Sequence, residues 1–219
     1  MLMEKQDILS KVDHTILYAY TDWEDVKRLC LEAIENKTAS VCIPPCYTSR
    51  VKKAFGDQIK ICVVIGFPLG YSVTSAKLEE AKAAVCDGAD EVDMVINITD
   101  VKNGDYDKVT DEIKQIKKCI GDKILKVIIE TCYLTEEEKI AMCKSVTEAK
   151  ADYIKTSTGF GTAGATLEDI RLMKQHIGPD VKIKAAGGIR TISDMELFLQ
   201  EGCSRLGTSS AIRLFEEAK

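Results

Sequence analysis

Histidine is nearly missing from this chain, and with it the usual nitrogen ligands of metal centres: His14 and His176 are the only two in 219 residues. Cys42 and Cys46 have a spacing that zinc uses, but no second cysteine pair follows, and Pro44-Pro45 between them suits a loop after a strand, so no metal site is expected. Long apolar runs are missing too: no stretch approaches the ~18 residues of a membrane span. Residues 1–7 lack the apolar core of a signal peptide. A net charge of -5, a pI near 5.3 and the lack of a basic run with interleaved aromatics argue against a nucleic-acid surface. No linker, low-complexity stretch or composition break is present, so one domain over residues 1–219 is expected. The chain reads as cytoplasmic, with neither nucleic acid nor membrane as partner.

What remains is ordinary for a globular protein, with 45% hydrophobic and 30% charged residues. The nine cysteines are an odd number, which excludes a complete intramolecular disulfide set. Cys30, Cys62, Cys86, Cys119 and Cys143 fall in apolar strand or helix patterns and read as small, reduced, buried hydrophobes.

Strand-like and helix-like segments alternate from end to end. Candidate strands lie at 14–17, 40–43, 59–66, 91–96, 124–130, 153–156, 181–186 and 205–207. Helical spacing fills 22–36, 48–55, 75–87, 106–119, 136–149, 167–176, 193–201 and 209–216. Thr135 with Glu138 forms a capping-box pattern, and Thr166 and Thr191 are weaker N-cap signals. Gly56, Gly88, Gly121, Gly178 and Gly202 stand where left-handed helix ends suit glycine. The strands are short apolar runs, as in a parallel sheet buried on both faces. Units of about 27 residues fit a (β/α)8 TIM barrel, with residues 5–10 as a short extra helix closing its floor. A doubly wound open sheet is the alternative.

Several charged residues interrupt these apolar strands. Lys155 closes the run Ala151-Asp152-Tyr153-Ile154-Lys155 and opens onto Thr156-Ser157-Thr158-Gly159. Removing an ammonium from water costs several kcal/mol unless it is paired or loses its proton. A lysine held partly neutral condenses with carbonyls to form a Schiff base. For this run alone, a lysine that caps a strand and reaches solvent fits equally well. By the two-residue period, Asp93 shares a face with Val95 and Asn97, and Lys126 shares one with Glu130, leaving Val127 and Ile129 toward the helices. Lys184 lies on the seventh strand and Asp13 at the entrance to the first.

Pointing inward, these residues form one cluster, with Lys184 beside Lys155 lowering its pKa and Asp93 carrying protons. Buried ion pairing alone accounts for one such pair but poorly for five or six charges. For Lys126 and Glu130 a supporting role and a direct one both remain open. The last three strand exits, at 157–161, 185–190 and 206–210, are rich in glycine and small hydroxyl residues. Such loops and the helix N-termini after them bind phosphate, with Arg190 as an outer contact or a solvated residue.

Together the motifs Asp13-His14-Thr15, 91–97, 125–131, 153–159, 186–190 and 205–210 closely resemble the deoxyribose-phosphate aldolases, class I aldolases, over nearly the whole chain. The resemblance implies a (β/α)8 barrel that reversibly cleaves 2-deoxy-D-ribose 5-phosphate to acetaldehyde and D-glyceraldehyde 3-phosphate, without metal or other cofactor. It implies Lys155 as the Schiff-base lysine, Lys184 as the second lysine and Asp93 as the proton-transfer carboxylate. Cys42 matches the family's pocket cysteine. Gly159, Gly187, Gly188, Gly207, Ser209 and Ser210 match phosphate-holding positions, and Asp13, Lys126 and Thr158 complete the expected substrate contacts.

Two departures stand out. Phe160 occupies the place where some members have a phosphate-binding lysine, and the C-terminal tyrosine of some members has no counterpart before Lys219. The expected partners are a small-molecule sugar phosphate and further copies of the chain, as a homodimer or homotetramer. Another phosphate-binding barrel aldolase or isomerase acting on a keto-sugar phosphate, or a non-catalytic ligand-binding barrel, are the competing readings.

Overall fold

The structure, a computed structural model, describes residues 3–218. Eight strands close into a barrel in chain order. They are β1 (Val12–Thr15), β2 (Ser40–Ile43), β3 (Ile61–Ile65), β4 (Glu91–Val95), β5 (Ile124–Ile128), β6 (Tyr153–Lys155), β7 (Lys182–Ala186) and β8 (Arg205–Thr208). Every neighbouring pair is parallel, and β8 returns to β1 through Val12 opposite Leu206, which sets aside the open-sheet alternative. The helices outside are α1 (Lys5–Leu9), α2 (Trp23–Glu35), α3 (Thr48–Phe55), α4 (Thr74–Cys86), α5 (Ile98–Lys102), α6 (Tyr106–Ile120), α7 (Glu136–Glu148), α8 (Leu167–His176), α9 (Ile192–Glu201) and α10 (Ala211–Glu217).

Burial on both faces explains why β3 reads Ile-Cys-Val-Val-Ile with no polar alternation. The main core lies between barrel and helices, where Val41, Ile61, Val92, Val127, Ile154, Ile183 and Leu206 meet helix residues such as Ile113, Met142 and Ile170. Each fully buried aliphatic side chain of this kind contributes about 1.5–3 kcal/mol. Val127 and Ile129 face the helices, as their period requires, leaving Lys126 and Glu130 on the other face. Helix α1 buries Ile8 and Leu9 beneath the barrel beside α9 and α10.

Local signals act where they were read. Thr135 and Thr191 head capping boxes with Glu138 and Asp194, and the Thr166 side chain accepts from the Asp169 amide. Each such cap stabilises its helix by about 1 kcal/mol.

Four expectations are corrected. Strand β1 begins two residues earlier than 14–17, because Asp13 pairs with both Ser40 and Gly207; Asp13 therefore sits within the strand, not at its entrance. Gly178 has no left-handed backbone: it is small because a Cβ there would lie 2.4 Å from Thr147 Cγ2. Gly56, Gly88, Gly121 and Gly202 do take positive φ. Cys86 is exposed at the end of α4, and Cys119 is only half-buried, packed at the edge of the core with its thiol donating to the Leu78 carbonyl at 3.8 Å. The five-residue α5, begun by the Asn97 side chain on the Thr99 amide, is too short to show a period.

Candidate active site

The inner face of the barrel is charged. Asp13 on β1, Glu91 and Asp93 on β4, Lys126 on β5, Lys155 on β6, Lys184 on β7 and Arg205 on β8 all point inward. Asp13, Asp93, Lys126 and Lys184 are 0% exposed. Charges this deep survive only in pairs, and the pairs share atoms. Asp93 Oδ1 accepts from Lys126 Nζ at 2.8 Å and Cys62 Sγ at 3.1 Å, while its Oδ2 accepts from Lys155 Nζ and Lys184 Nζ, both at 2.7 Å. Asp13 Oδ2 accepts from Lys184, and its Oδ1 accepts from Ser40 Oγ at 2.7 Å and Arg205 Nη1 at 2.5 Å. Glu91 takes Lys126 at 2.5 Å and the Arg205 fork at 3.1 and 3.3 Å. Counted by direct contact, three carboxylates thus face three ammonium groups and a guanidinium, one positive charge more than negative, with the Glu130 carboxylate beyond contact but within electrostatic reach of Lys155.

Electrostatics follow from this crowding. Burial pushes the Asp13 and Asp93 carboxyls up, but lysines around both outweigh it and hold them well below the usual carboxylate range. Burial pulls Lys184 and Lys126 down, and the carboxylates beside them win, raising both. The expected direct flanking of Lys155 by Lys184 is replaced by a shared oxygen: Asp93 Oδ2 lies between the two ammonium groups. Lys155 is also the lysine with fewest acceptors. Its only carboxylate is Asp93, whereas Lys184 has two and Lys126 three.

Cys42 is opposite Cys62 on β2 and β3, and both sulfurs lie within 4.8 Å of an Asp93 oxygen. A hydrogen bond with Cys62 is the main cause that lowers the Cys42 thiol, against burial. Cys62 is pushed well up by burial. With Val64, Leu17 and Phe67 these thiols make a small apolar wall separate from the main core. The sulfur and oxygen donors here already meet tethered ammonium groups, so a metal cation entering the cluster would be repelled.

Strand exits build the rim. Glu130, just past β5, is left-handed at φ 50 and 2% exposed, a conformation that costs on the order of 1–3 kcal/mol in a non-glycine residue. It is held by Thr158, whose amide donates to Oε1 at 3.1 Å and whose hydroxyl donates to Oε2. Gly159, Gly187 and Gly188 have φ of 87, 78 and 75. The peptide N–H groups of Gly187, Gly188 and Ser209 donate to no acceptor among the described residues. The buried Ser157 hydroxyl likewise has no partner. Gly207 has another use: a Cβ there would come within 3.1 Å of Lys184 Cε, so it makes room for that lysine.

Two further residues stand at the rim. Arg190 is exposed, and its amide and that of Thr191 both donate to Asp194 Oδ2 at 3.0 Å, so the start of α9 is capped from within the chain. Phe160 turns from its loop to meet Phe67 edge-on at 5.4 Å across the mouth.

Sequence reasoning singled out Asp13, Asp93, Lys126, Lys155, Lys184 and Cys42, and the structure brings all six together. It overlooked Glu91, Cys62 and Arg205. The two-residue period that turns Asp93 inward also turns Glu91 inward, and that signal was available. Ser209 is exposed and Ser210 half-buried, the latter bonded to Thr208 Oγ1.

Comparison with known proteins agrees with this arrangement. Residues 8–205 match the model of the DeoC/LacD family aldolase. A deoxyribose-phosphate aldolase of Clostridium botulinum (strain Alaska E43 / Type E3) is 64% identical over 98% of this chain and 97% of that protein. One from Clostridioides difficile (strain 630) is 62% identical over 95% of each. The tetrameric deoxyribose phosphate aldolase structure from Aeropyrum pernix superposes with a TM-score of 0.88 at 31% identity, covering 98% of this chain and 92% of that one. No helix among the described residues is long and apolar enough to cross a membrane.

Proposed function

The chain belongs to the DeoC/LacD family of aldolases, and we propose that it cleaves 2-deoxy-D-ribose 5-phosphate reversibly to acetaldehyde and D-glyceraldehyde 3-phosphate through a Schiff base on Lys155. One observation carries the assignment of the nucleophile. Of the three lysines inside the barrel, Lys155 is the one with a single carboxylate partner, Asp93. With one carboxylate to leave, Lys155 is free to turn to a carbonyl while Asp13 and Glu91 go on holding Lys184 and Lys126.

The neutral amine attacks C1 of the open-chain sugar, and loss of water leaves an iminium. As the C3 hydroxyl gives up its proton, the C2–C3 bond breaks and its electron pair flows into the iminium. D-Glyceraldehyde 3-phosphate departs. The remaining enamine takes a proton at C2, and water releases acetaldehyde and the free amine. Asp93 is held ionised by three lysines and makes a poor free-standing acid. It serves as the common oxygen across which Lys155 and Lys184 exchange protons. Phosphate is placed over the open amides of Gly187, Gly188 and Ser209, with Thr158 and Gly159 forming the near wall; Arg190 is at most an outer contact. Cys42 and its apolar neighbours face the two-carbon portion, with Asp13 and Lys126 supporting the charges beneath.

Release of both aldehydes in equal amounts from deoxyribose 5-phosphate tests this activity. A ketose product without acetaldehyde would point to an isomerase instead. The chain is further proposed to be cytoplasmic and to form a homodimer or homotetramer, which light scattering on the purified protein resolves.

Two variants examine the parts. Gly188→Val forces a β-branched residue into φ 75 beside the phosphate position. It is expected to raise KM for the phosphorylated sugar about tenfold or more while leaving that for free deoxyribose nearly unchanged; equal effects on both sugars would move phosphate elsewhere. Lys184→Leu frees Asp93 Oδ2 for Lys155 alone and removes a like charge. The acid limb of the pH–rate profile is expected to move upward, and activity lost near neutrality to return in part at higher pH. An unmoved profile at full activity would show that Lys184 takes no part.

A further inference from the structure

Arg205 contacts neither Lys155 nor Asp93, yet it is built into the charge cluster. Its Nη1 is 2.5 Å from Asp13 Oδ1, and its fork spans Glu91 at 3.1 and 3.3 Å. Its Cζ lies 5.6 Å from the Tyr153 ring centroid, on the strand that ends in Lys155. A guanidinium keeps its proton in proteins. It thereby commits one oxygen of Asp13 and shares Glu91 with Lys126. Without Arg205, the groups in direct contact would be three carboxylates and three lysines.

We propose that Arg205 is a positioning residue for the reactive amine: by occupying Asp13 Oδ1 and Glu91 it leaves Asp13 Oδ2 to Lys184, and through Lys184 it fixes the Asp93 oxygen on which Lys155 rests. The inference rests on Lys155 being the Schiff-base amine. The groups around Lys155 all enter the balance. Asp93 bridges it to Lys184, Lys126 stands on the other Asp93 oxygen, and Asp13 and Glu91 lie below. Cys42 and Cys62 face it from β2 and β3, Tyr153 precedes it, and Glu130 lies at the rim within electrostatic reach. Among these Arg205 is the cation that contacts Asp13 and Glu91 but not Asp93. Its influence passes through Asp13, then Lys184, then Asp93, each a direct contact.

Two unit charges about 10 Å apart at an effective dielectric of about 20 shift each other's titration by about one pH unit. The experiment is the pH dependence of Schiff-base formation, read as the initial rate at which borohydride traps acetaldehyde on Lys155. Arg205→Met is expected to move the acid limb of that profile upward by about one unit, and Arg205→Lys, which keeps the charge, to restore it. Glu91→Gln, which removes a negative charge but keeps the hydrogen-bonding shape, is expected to move the limb downward, and it answers the question even where Arg205→Met fails to fold. Limbs that stay in place in Arg205→Met and Glu91→Gln, with adduct still forming on Lys155, would overturn the proposal and leave the aldolase reading intact. Failure of the wild-type protein to form any adduct on Lys155 would instead remove the aldolase reading itself.

Discussion

Replacing Lys155 with Ala is expected to reduce turnover of deoxyribose 5-phosphate to background, a loss on the order of 10⁴-fold or more. No other amine in the barrel is equivalent. Lys184 and Lys126 carry raised pKa values because each is ringed by carboxylates, so neither is free to replace the lost nucleophile. The fold is expected to survive, since Asp93 keeps Lys126 and Lys184 as partners and the other ion pairs do not touch position 155. A Lys155→Met variant, which retains most of the apolar stem, separates chemistry from packing. Circular dichroism should match the wild type while the aldehyde-release assay is silent. Turnover within a few-fold of wild type in either variant would contradict the assignment.

Asp93→Asn is expected to cost both rate and stability. The amide keeps the shape but surrenders the charge that three lysines share, so the excess positive charge in the barrel rises from one to two. Breaking a buried pair by removing one partner costs about 3–5 kcal/mol. The proton path between Lys155 and Lys184 is also interrupted, with a rate loss on the order of 10²–10⁴-fold.

The pH dependence distinguishes this from simple misfolding. Asp93 has a folded pKa below its unfolded value, so in the wild type its stabilisation is present above the ordinary carboxylate range and fades as pH falls through the folded value. In Asp93→Asn, Lys184 keeps Asp13 and Lys126 keeps Asp13 and Glu91, but Lys155 loses its only carboxylate. A buried ammonium without a partner gives up its proton more readily than in the unfolded chain, so the folded state binds fewer protons and stability rises with pH. The deficit in Tm relative to wild type should therefore shrink from pH 7 to pH 10. A constant deficit with near-normal turnover would make Asp93 a neutral packing residue.

The barrel was legible because alternation and doubly buried strands are written in apolar runs such as Ile61–Ile65, and the period of two places Asp93, Lys126 and Lys184 inside without further information. Arg205 and Glu91 escaped notice because each opens its strand, where a charged residue ordinarily reaches solvent; only closure of the barrel brings the two together. Cys62 looked like core, since a thiol in an apolar strand gives no sign that Asp93 and Lys126 approach from β4 and β5. The buried Lys77–Glu112 pair between α4 and α6, at 2.8 Å, was equally hidden, because both residues lie on helices rich in surface charge. Thr191, three residues before Asp194, marks the start of α9, whereas the further bond from the Arg190 amide to Asp194 Oδ2 is set by tertiary structure. The direction of Phe160, toward Phe67 and not into its own loop, is likewise set by tertiary contact alone.

The central claim is that Lys155 forms the iminium. Incubation of the protein with acetaldehyde and borohydride, followed by peptide mass spectrometry, tests it most directly. A single N-ethyl group on Lys155, lost when deoxyribose 5-phosphate competes and absent from Lys155→Met, is the expected result. Modification centred on Lys184 or Lys126, or spread over surface lysines with Lys155 untouched, would contradict it.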